Sequence, residues 1–306
     1  MKSIVVIGST NTDMVVKTSH LPAGGETVLG GEFMMNAGGK GANQAVAAAR
    51  YGNRVVFVAK TGDDLYGERV RLSLSKEGIV LDYLSVDPLH PSGVALITID
   101  AKAENCIVVA SGANMHLSTA DVDAAREEIS AADVVLMQLE SPIETVTYAA
   151  RMAAEAGVRV VLNPAPAPDE PLPAELMRSL YLITPNRSEA SRLSGIEVRD
   201  LESAREAAKA ILDRGPQCVI ITLGGDGSLV YDGQEFTFVE ATRVEAVDTT
   251  AAGDTYNGVL ATMIAEGRSL KDAAREASVA AAISVTRMGA QPAAPTRDEV
   301  AAMMGR

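Results

Sequence analysis

Basic residues, histidines, cysteines and long apolar runs are all scarce in this chain of 306 residues, and each shortage removes a class of function. Lysine and arginine number 27 against 40 acids, which leaves a formal charge of −13. Nucleic acids and anionic membrane surfaces are held through a basic face, and so acidic a balance does not supply one. A phosphate ligand stays open, because local backbone donors can hold it. No apolar run approaches membrane-spanning length, and residues 1–8, followed so soon by Asp13, are too short for a secretory signal. A cytoplasmic protein is expected. The two cysteines, Cys106 and Cys218, lie far apart in apolar, strand-like runs, which predicts buried thiols and no disulfide framework. The three histidines, His20, His90 and His116, show no ligand spacing with one another or with cysteine. A zinc site or a Ser-His-Asp hydrolase therefore has almost no support.

What is present is a globular composition, 47% hydrophobic and 22% charged. The length suits one large α/β domain with an elaboration, or two ordinary domains; with no linker or repeat in view, one contiguous domain over 1–306 is expected. Residues 3–7 form an apolar, β-branched run that reads as a buried parallel strand. From residue 55 onward, strand patterns at 55–59, 134–137, 158–162, 181–184 and 218–223 alternate with helical ones at 64–77, 118–129, 142–156, 256–266 and 270–285. Two stretches depart from that rhythm, 14–35 and 93–110, each reading as a pair of short strands. Together they predict a small separate sheet whose apolar face needs cover from a substrate cleft or a second subunit.

Polar residues gather where strands end. Asn11 and Asp13 follow the first strand, at the edge where open α/β sheets hold ligands, and read either as readers of several hydroxyls or as an Asx turn. Gly38-Gly39-Lys40-Gly41-Ala42-Asn43 precedes an Ala-rich helix and allows close backbone approach, but it lacks P-loop spacing. Glu140 closes another strand and faces the same crevice, while Ser141 to Glu144 reads as a capping box. Asn163 to Pro168 reads as a rigid loop shaping the cleft wall. Asn186 and Glu189 have capping-box spacing too, with a second reading as residues that orient hydrated Mg2+. The Gly-rich turn after Thr222 reads as a hairpin or as an approach to a nucleotide.

The segment from Asp248 to Gly258 carries the sharpest chemistry. Ala251, Ala252 and Gly253 leave backbone N–H groups open at a helix N-terminus, which suits an anion. Asp254 beside them reads as a general base for a hydroxyl, or as a plain helix cap.

Taken in order, Gly8 to Asp13, Gly38 to Ala45, Thr61 to Asp64, Gln138 to Pro142, Asn163 to Ala167, Thr184 to Glu189, Ala251 to Gly258 and Thr286 to Gln291 resemble the ribokinase-type carbohydrate kinases, the phosphofructokinase-B family. The resemblance spans essentially the whole chain. It implies a three-layer αβα, Rossmann-like domain with a β-sheet lid, near residues 14–36 and 93–110, that doubles as a homodimer interface. It implies transfer of the ATP γ-phosphate to a sugar hydroxyl, with the 5-hydroxyl of D-ribose expected and 2-deoxyribose, fructose or a nucleoside as alternatives. Asp254 is then the base, and Ala251, Ala252 and Gly253 form the anion hole. Asn11, Asp13, Gly39, Lys40, Asn43 and Glu140 hold the sugar, with Ala95 and Ile97 as apolar lid contacts. Asn186, Thr222, Gly224, Gly227, Ala252, Gly253 and Ser278 approach ATP, and Asn186 and Glu189 serve Mg2+. A monovalent cation, K+, is implied at Asp248, Thr250, Ser284, Arg287 and Gly289, although Ala293 stands where such kinases often carry a serine ligand. Two other classes are weighed beside it. A sugar- or nucleotide-binding regulator without turnover is disfavoured by intact Asp254, and a Rossmann dehydrogenase is suggested by the α/β alternation alone.

Overall fold

A computed structural model describes residues 2–102, 104–167 and 169–305. Ala103, in the expected turn of the second excursion, and Pro168, at the end of the proline-rich loop, lie outside the described residues.

The chain opens with β1 (Ser3–Ile7), leaves as β2 (Asn11–Lys17) and returns through β3 (Phe33–Gly38) into α1 (Lys40–Arg50). Next come β4 (Arg54–Gly62), α2 (Leu65–Lys76) and β5 (Leu84–Asp87), then a second departure as the hairpin β6 (Gly93–Ile99) and β7 (Asn105–Ala110). A 3-10 turn, Gly112–His116, leads into α3 (Thr119–Ala124), α4 (Arg126–Ala131), β8 (Val134–Met137), α5 (Ile143–Glu155) and β9 (Arg159–Leu162). They are followed by α6 (Ala174–Ser179), the two-residue β10 (Leu182–Ile183), α7 (Arg187–Ser194), α8 (Leu201–Leu212) and β11 (Cys218–Thr222). The hairpin β12 (Gly227–Tyr231) and β13 (Phe236–Glu240) precedes α9 (Ala252–Ala265), α10 (Leu270–Ser284) and α11 (Arg297–Met303).

Nine strands make the main sheet, in the order β13-β12-β11-β10-β9-β8-β1-β4-β5. Pairing is parallel from β5 to β11 and antiparallel only at the β12 and β13 edge. Strand residues alternate between two cores. Ile4, Val6, Phe57, Leu136 and Ile220 pack with α1, α2, α9 and α10 on one face. Val5, Ile7, Val58, Met137 and Ile221 pack with the helices between β7 and β11 on the other. Burial on both faces is why these strands read as continuous apolar runs. Strand order reverses at β1, so the ends of β1 and β8 border the crevice of a doubly wound sheet.

A second sheet, β3-β2-β6-β7, gathers the two departures as expected, with β2 and β6 joined in parallel. Its boundaries differ from the sequence reading. Asn11 and Asp13 are strand residues, because β2 is paired from its first residue to Gly38 on one side and Gly93 on the other. Of the second short strand in the 14–35 stretch, expected over 27–35, residues 27–32 lie outside any strand, because pairing with β2 starts at Phe33, opposite Val16. Three smaller expectations also change. The helix at 118–129 is interrupted at Ala125, whose φ of −97° and ψ of 9° leave the helical region. Ser141 does not cap α5, whose N-cap is Pro142; its hydroxyl is buried without a partner among the described residues. Cys218 is buried, but Cys106 is exposed, since β7 is an edge strand exposed at every position. Among the described residues, no helix is long and apolar enough to cross a membrane.

One packing contact positions the site. A Cβ at Gly258 of α9 would sit 2.6 Å from the Gln44 carbonyl oxygen and 2.7 Å from the Ala47 Cβ on α1. The bare glycine lets the two helices touch. Gly258→Ala is expected to push them apart and to cost about 1–3 kcal/mol, the usual range for overpacking. Urea unfolding of variant and wild type measures the difference.

Candidate active site

Asp254 lies in the first turn of α9 and is buried. It is not the helix cap. That place belongs to Ala251, in the left-handed region with φ of 57°, and the Asp254 carboxylate turns instead toward α1. There Asn43 Nδ2 donates to Oδ2 and Gln44 Nε2 donates to Oδ1, both at 3.0 Å. Gln44 is fixed in turn: its Nε2 also reaches Asn163 Oδ1 at 3.1 Å, and its Oε1 accepts from Gln138 Nε2 at 2.6 Å. The network continues from Asn163 to the Thr184 carbonyl, from the Thr184 hydroxyl to Asn257, and from Asn257 back to the Gly253 carbonyl. The ends of β8, β9 and β10 are thereby wired to the start of α9.

The α1 N-terminus presses against the turn after β1. Gly39, with φ of 89°, has room for no Cβ, which would lie 2.6 Å from the Asn11 nitrogen. This approach brings the Lys40 N–H to Glu140 Oε2 at 3.0 Å, and the Ser9 hydroxyl donates to the same oxygen. Asn11 is held by Asn114, whose Nδ2 donates to Asn11 Oδ1 at 2.8 Å. Ala95 pairs with Asp13, so both point to one face of the second sheet, and Ile97 follows two residues farther along that face. Hydrogen bonds and charge coupling thus bring Asp13, Lys40, Asn43, Glu140 and Asp254 into one polar cluster, with Asn11, Gly39 and Ala95 beside it. Sequence reasoning missed Gln44, Asn114 and Ser9. Burial reveals what spacing does not, since Gln44 is a fully buried amide in an Ala-rich helix and needs polar partners.

The pocket concentrates charge. Burial raises the Asp13 carboxyl to about 6, with Glu140 and Asp254 adding to the rise. Burial also raises Asp254, while the Lys40 charge and the amides of Asn43 and Gln44 pull the other way without cancelling it. Glu189 is raised by burial too, against the Asn186 N–H and Lys40. Burial alone would lower the Lys40 ammonium, but Asp254, Glu140 and Glu189 outweigh it and raise it. Lys40 is therefore the cation that makes this group of acids tolerable.

On the other side of the α9 N-terminus lies a cleft of about 1020 Å³. Its lining includes all seven residues expected at ATP: Asn186, Thr222, Gly224, Gly227, Ala252, Gly253 and Ser278. Backbone bridging between Asn186 and Thr222 closes one wall. The hairpin reading of Gly224 to Gly227 is also correct, as β11 and β12 pair antiparallel across a 3-10 turn. Of the expected anion-hole donors, the Ala252 N–H leans to the Thr249 carbonyl at 3.3 Å, a long contact that leaves it only partly engaged.

The cation positions can be tested on their donor chemistry. Asn186 and Glu189 form the capping box, with the Asn186 side chain accepting from the Glu189 N–H at 2.9 Å and Glu189 Oε2 accepting from the Asn186 N–H at 2.8 Å. A buried carboxylate that uses one oxygen in a cap retains the other, which fits a hydrated Mg2+ that takes few protein ligands. Asp248 ties two loops together, accepting from the Thr250 N–H at 2.9 Å and the Gly289 N–H at 2.8 Å. Ser284 is buried with its hydroxyl on the Ala281 carbonyl, and the Arg287 side chain pairs with Glu299. Side chains at Ser284 and Arg287 are thus occupied, and only their backbone carbonyls would serve K+.

The profile of the pfkB family of carbohydrate kinases matches residues 1–297. This chain belongs to that family. It is 43% identical over 298 residues to a ribokinase of Haemophilus influenzae, covering 97% of both chains. It is 36% identical over 296 residues to a deoxyribokinase of Salmonella typhi, covering 97% of this chain and 96% of the relative. The solved ribokinase of Arabidopsis thaliana, complexed with ribose and ATP, superposes with a TM-score of 0.92 at 32% identity, covering 100% of this chain and 99% of that one. The three-layer fold expected from sequence is the fold of this family, and a dehydrogenase is set aside.

The raised Asp13 carboxyl has a measurable sign. Between about pH 4 and 6 the folded chain keeps a proton that the unfolded chain has released, so stability falls as pH rises through that window. Asp13→Asn is expected to abolish this fall. Relative to wild type it gains on the order of 2 kcal/mol above about pH 6 and little near pH 3, read by urea unfolding at both.

Proposed function

We propose that this chain is an ATP-dependent ribokinase, transferring the γ-phosphate to the 5-hydroxyl of D-ribose. The observation that carries the reading is the position of Asp254. It is held by two amides at the junction of a polar, hydroxyl-reading pocket and a Gly-rich nucleotide-sized cleft. Phosphoryl transfer asks chiefly for positioning and charge stabilisation. Asn11, Asp13, Asn43 and Glu140 orient the sugar hydroxyls, and Ala95 and Ile97 cover its apolar side. Asp254 accepts the proton of the attacking hydroxyl, its raised affinity for that proton suiting the task. The open N–H groups at the start of α9 and the Lys40 ammonium face the charge that develops on the transferring group. When bound, Mg2+ near Glu189 and Asn186 would neutralise phosphate charge. K+ carried by the loop at Asp248 and the turn at Gly289 would brace the anion hole. One kinase domain spans the chain, with the second sheet as its lid.

A 2-deoxyribose kinase is the second reading, favoured by the deoxyribokinase relative. Turnover with ribose, 2-deoxyribose, fructose and a nucleoside decides: ribose is expected to give the highest kcat/KM, and a better rival would overturn the assignment. Asp254→Asn is expected to lower kcat by about 10²- to 10⁴-fold while the chain stays folded. Equal rates would remove Asp254 from the chemistry.

The lid also supports a homodimer. Phe33, Met35, Leu96 and Val108 share its outer face and are exposed, an apolar strip unusual on a monomer. Light scattering is expected to give a dimer for wild type and a monomer for Leu96→Glu.

A further inference from the structure

The histidines show no ligand spacing in sequence, yet the fold brings two of them together. Asp87 ends β5, His90 follows in the segment leading to the lid hairpin, and His116 ends the 3-10 turn on the far side of that hairpin. The His90 and His116 rings stack at 3.4 Å, 11° from parallel. Asp87 Oδ2 lies 2.9 Å from His90 Nδ1. One donor atom from each of the three residues falls within 4.8 Å of the others.

We propose that Asp87, His90 and His116 form a binding site for one divalent transition-metal ion of the zinc class, clamping the two ends of the β6–β7 hairpin together. Imidazole and carboxylate donors suit such an ion, and three protein ligands leave its fourth position to water. Bonds of about 2.1 Å in a tetrahedral site hold donors about 3.4 Å apart, so the trio needs to close by on the order of 1 Å. The nitrogen lone pairs lie in the ring planes, so the two stacked imidazoles must also rotate about their side-chain bonds to aim at one ion. The carboxylate is already oriented: Asp87 Oδ1 accepts the Leu89 N–H at 2.8 Å and the His90 N–H at 3.2 Å, the kind of support that fixes metal ligands.

The location gives the site a consequence. The two ends of the hairpin already touch where the Ala113 N–H donates to the Pro91 carbonyl at 2.8 Å. His116 shares its short turn with Asn114, the residue that holds Asn11. An ion at the base would thus stiffen the lid and the turn that orients a sugar-side residue.

Calorimetric titration of chelator-treated protein with Zn2+ and Ni2+ tests the proposal. Excess Mg2+ occupies the active-site acids, and the pH is set above the ordinary imidazole pKa of about 6.5. One ion per chain is expected, with a metal-dependent rise in melting temperature. His90→Ala and His116→Ala should each weaken binding at least tenfold and remove the rise, while Cys106→Ser leaves both intact. His116 is exposed, so its variant keeps the fold. No binding by wild type, equal binding by both histidine variants, or loss of binding in Cys106→Ser would each overturn the site. None of these readouts depends on which sugar is phosphorylated.

Discussion

The pair of amide hydrogen bonds to Asp254 is the interaction on which the rest of the site depends. A carboxylate buried this deeply is costly unless donors and a nearby cation compensate it. Asn43 and Gln44 supply the donors and Lys40 the charge, and all three lie in the first turns of α1. Two helices must therefore meet almost without side chains between them. Gly258 provides that on α9, and Gly39 and Gly41 provide the matching approach of α1 to the β1 end. The residues that do chemistry are few; many more exist to bring two helix N-termini to one point.

The amide network explains why the pocket tolerates so many acids without collapsing. Gln138, Gln44, Asn163, Thr184 and Asn257 link three strand ends to the Gly253 carbonyl, and every one of them is buried. A satisfied buried network rigidifies its surroundings, and a missing partner is expensive. Orphans do remain there: Asn43 Oδ1, Gln138 Oε1 and Thr10 Oγ1 are buried without a hydrogen-bond partner among the described residues. Such buried atoms mark places where water or a bound molecule completes the pattern.

Much of this was legible in the sequence. Alternating apolar runs announced the sheet, because strands buried on both faces leave no polar positions. Strand ends and helix starts, where α/β folds hold ligands, made Asp254, Asn11, Asp13 and Glu140 candidates, while the roles of base and sugar ligands came from the family resemblance. Gln44 and Asn114 were not, since their importance comes from partners far away in the chain: Gln44 with Asp254, and Asn114 with Asn11. The limits of β2 and β3 were misjudged for a related reason, as pairing across two neighbours, not local propensity, sets where a strand begins. Cys106 misled because an apolar run on an edge strand looks like a buried one. The Asp87, His90 and His116 cluster was invisible in spacing, as a whole hairpin separates His116 from the other two.

The two flanks of α9 differ in their origin along the chain. The pocket on one side draws Asn11, Asp13, Lys40, Asn43, Ala95 and Glu140 from the first half of the sequence, while the cleft on the other is lined from Asn186 onward. The N-terminus of α9 borders both, and the start of α7 joins it through Glu189 and Asn186. On the function proposed above, acceptor choice and donor choice fall largely in separate stretches of the chain, with Asp254 as their hinge. A lineage could exchange one sugar for another by altering the first half, leaving the machinery that handles the nucleotide untouched.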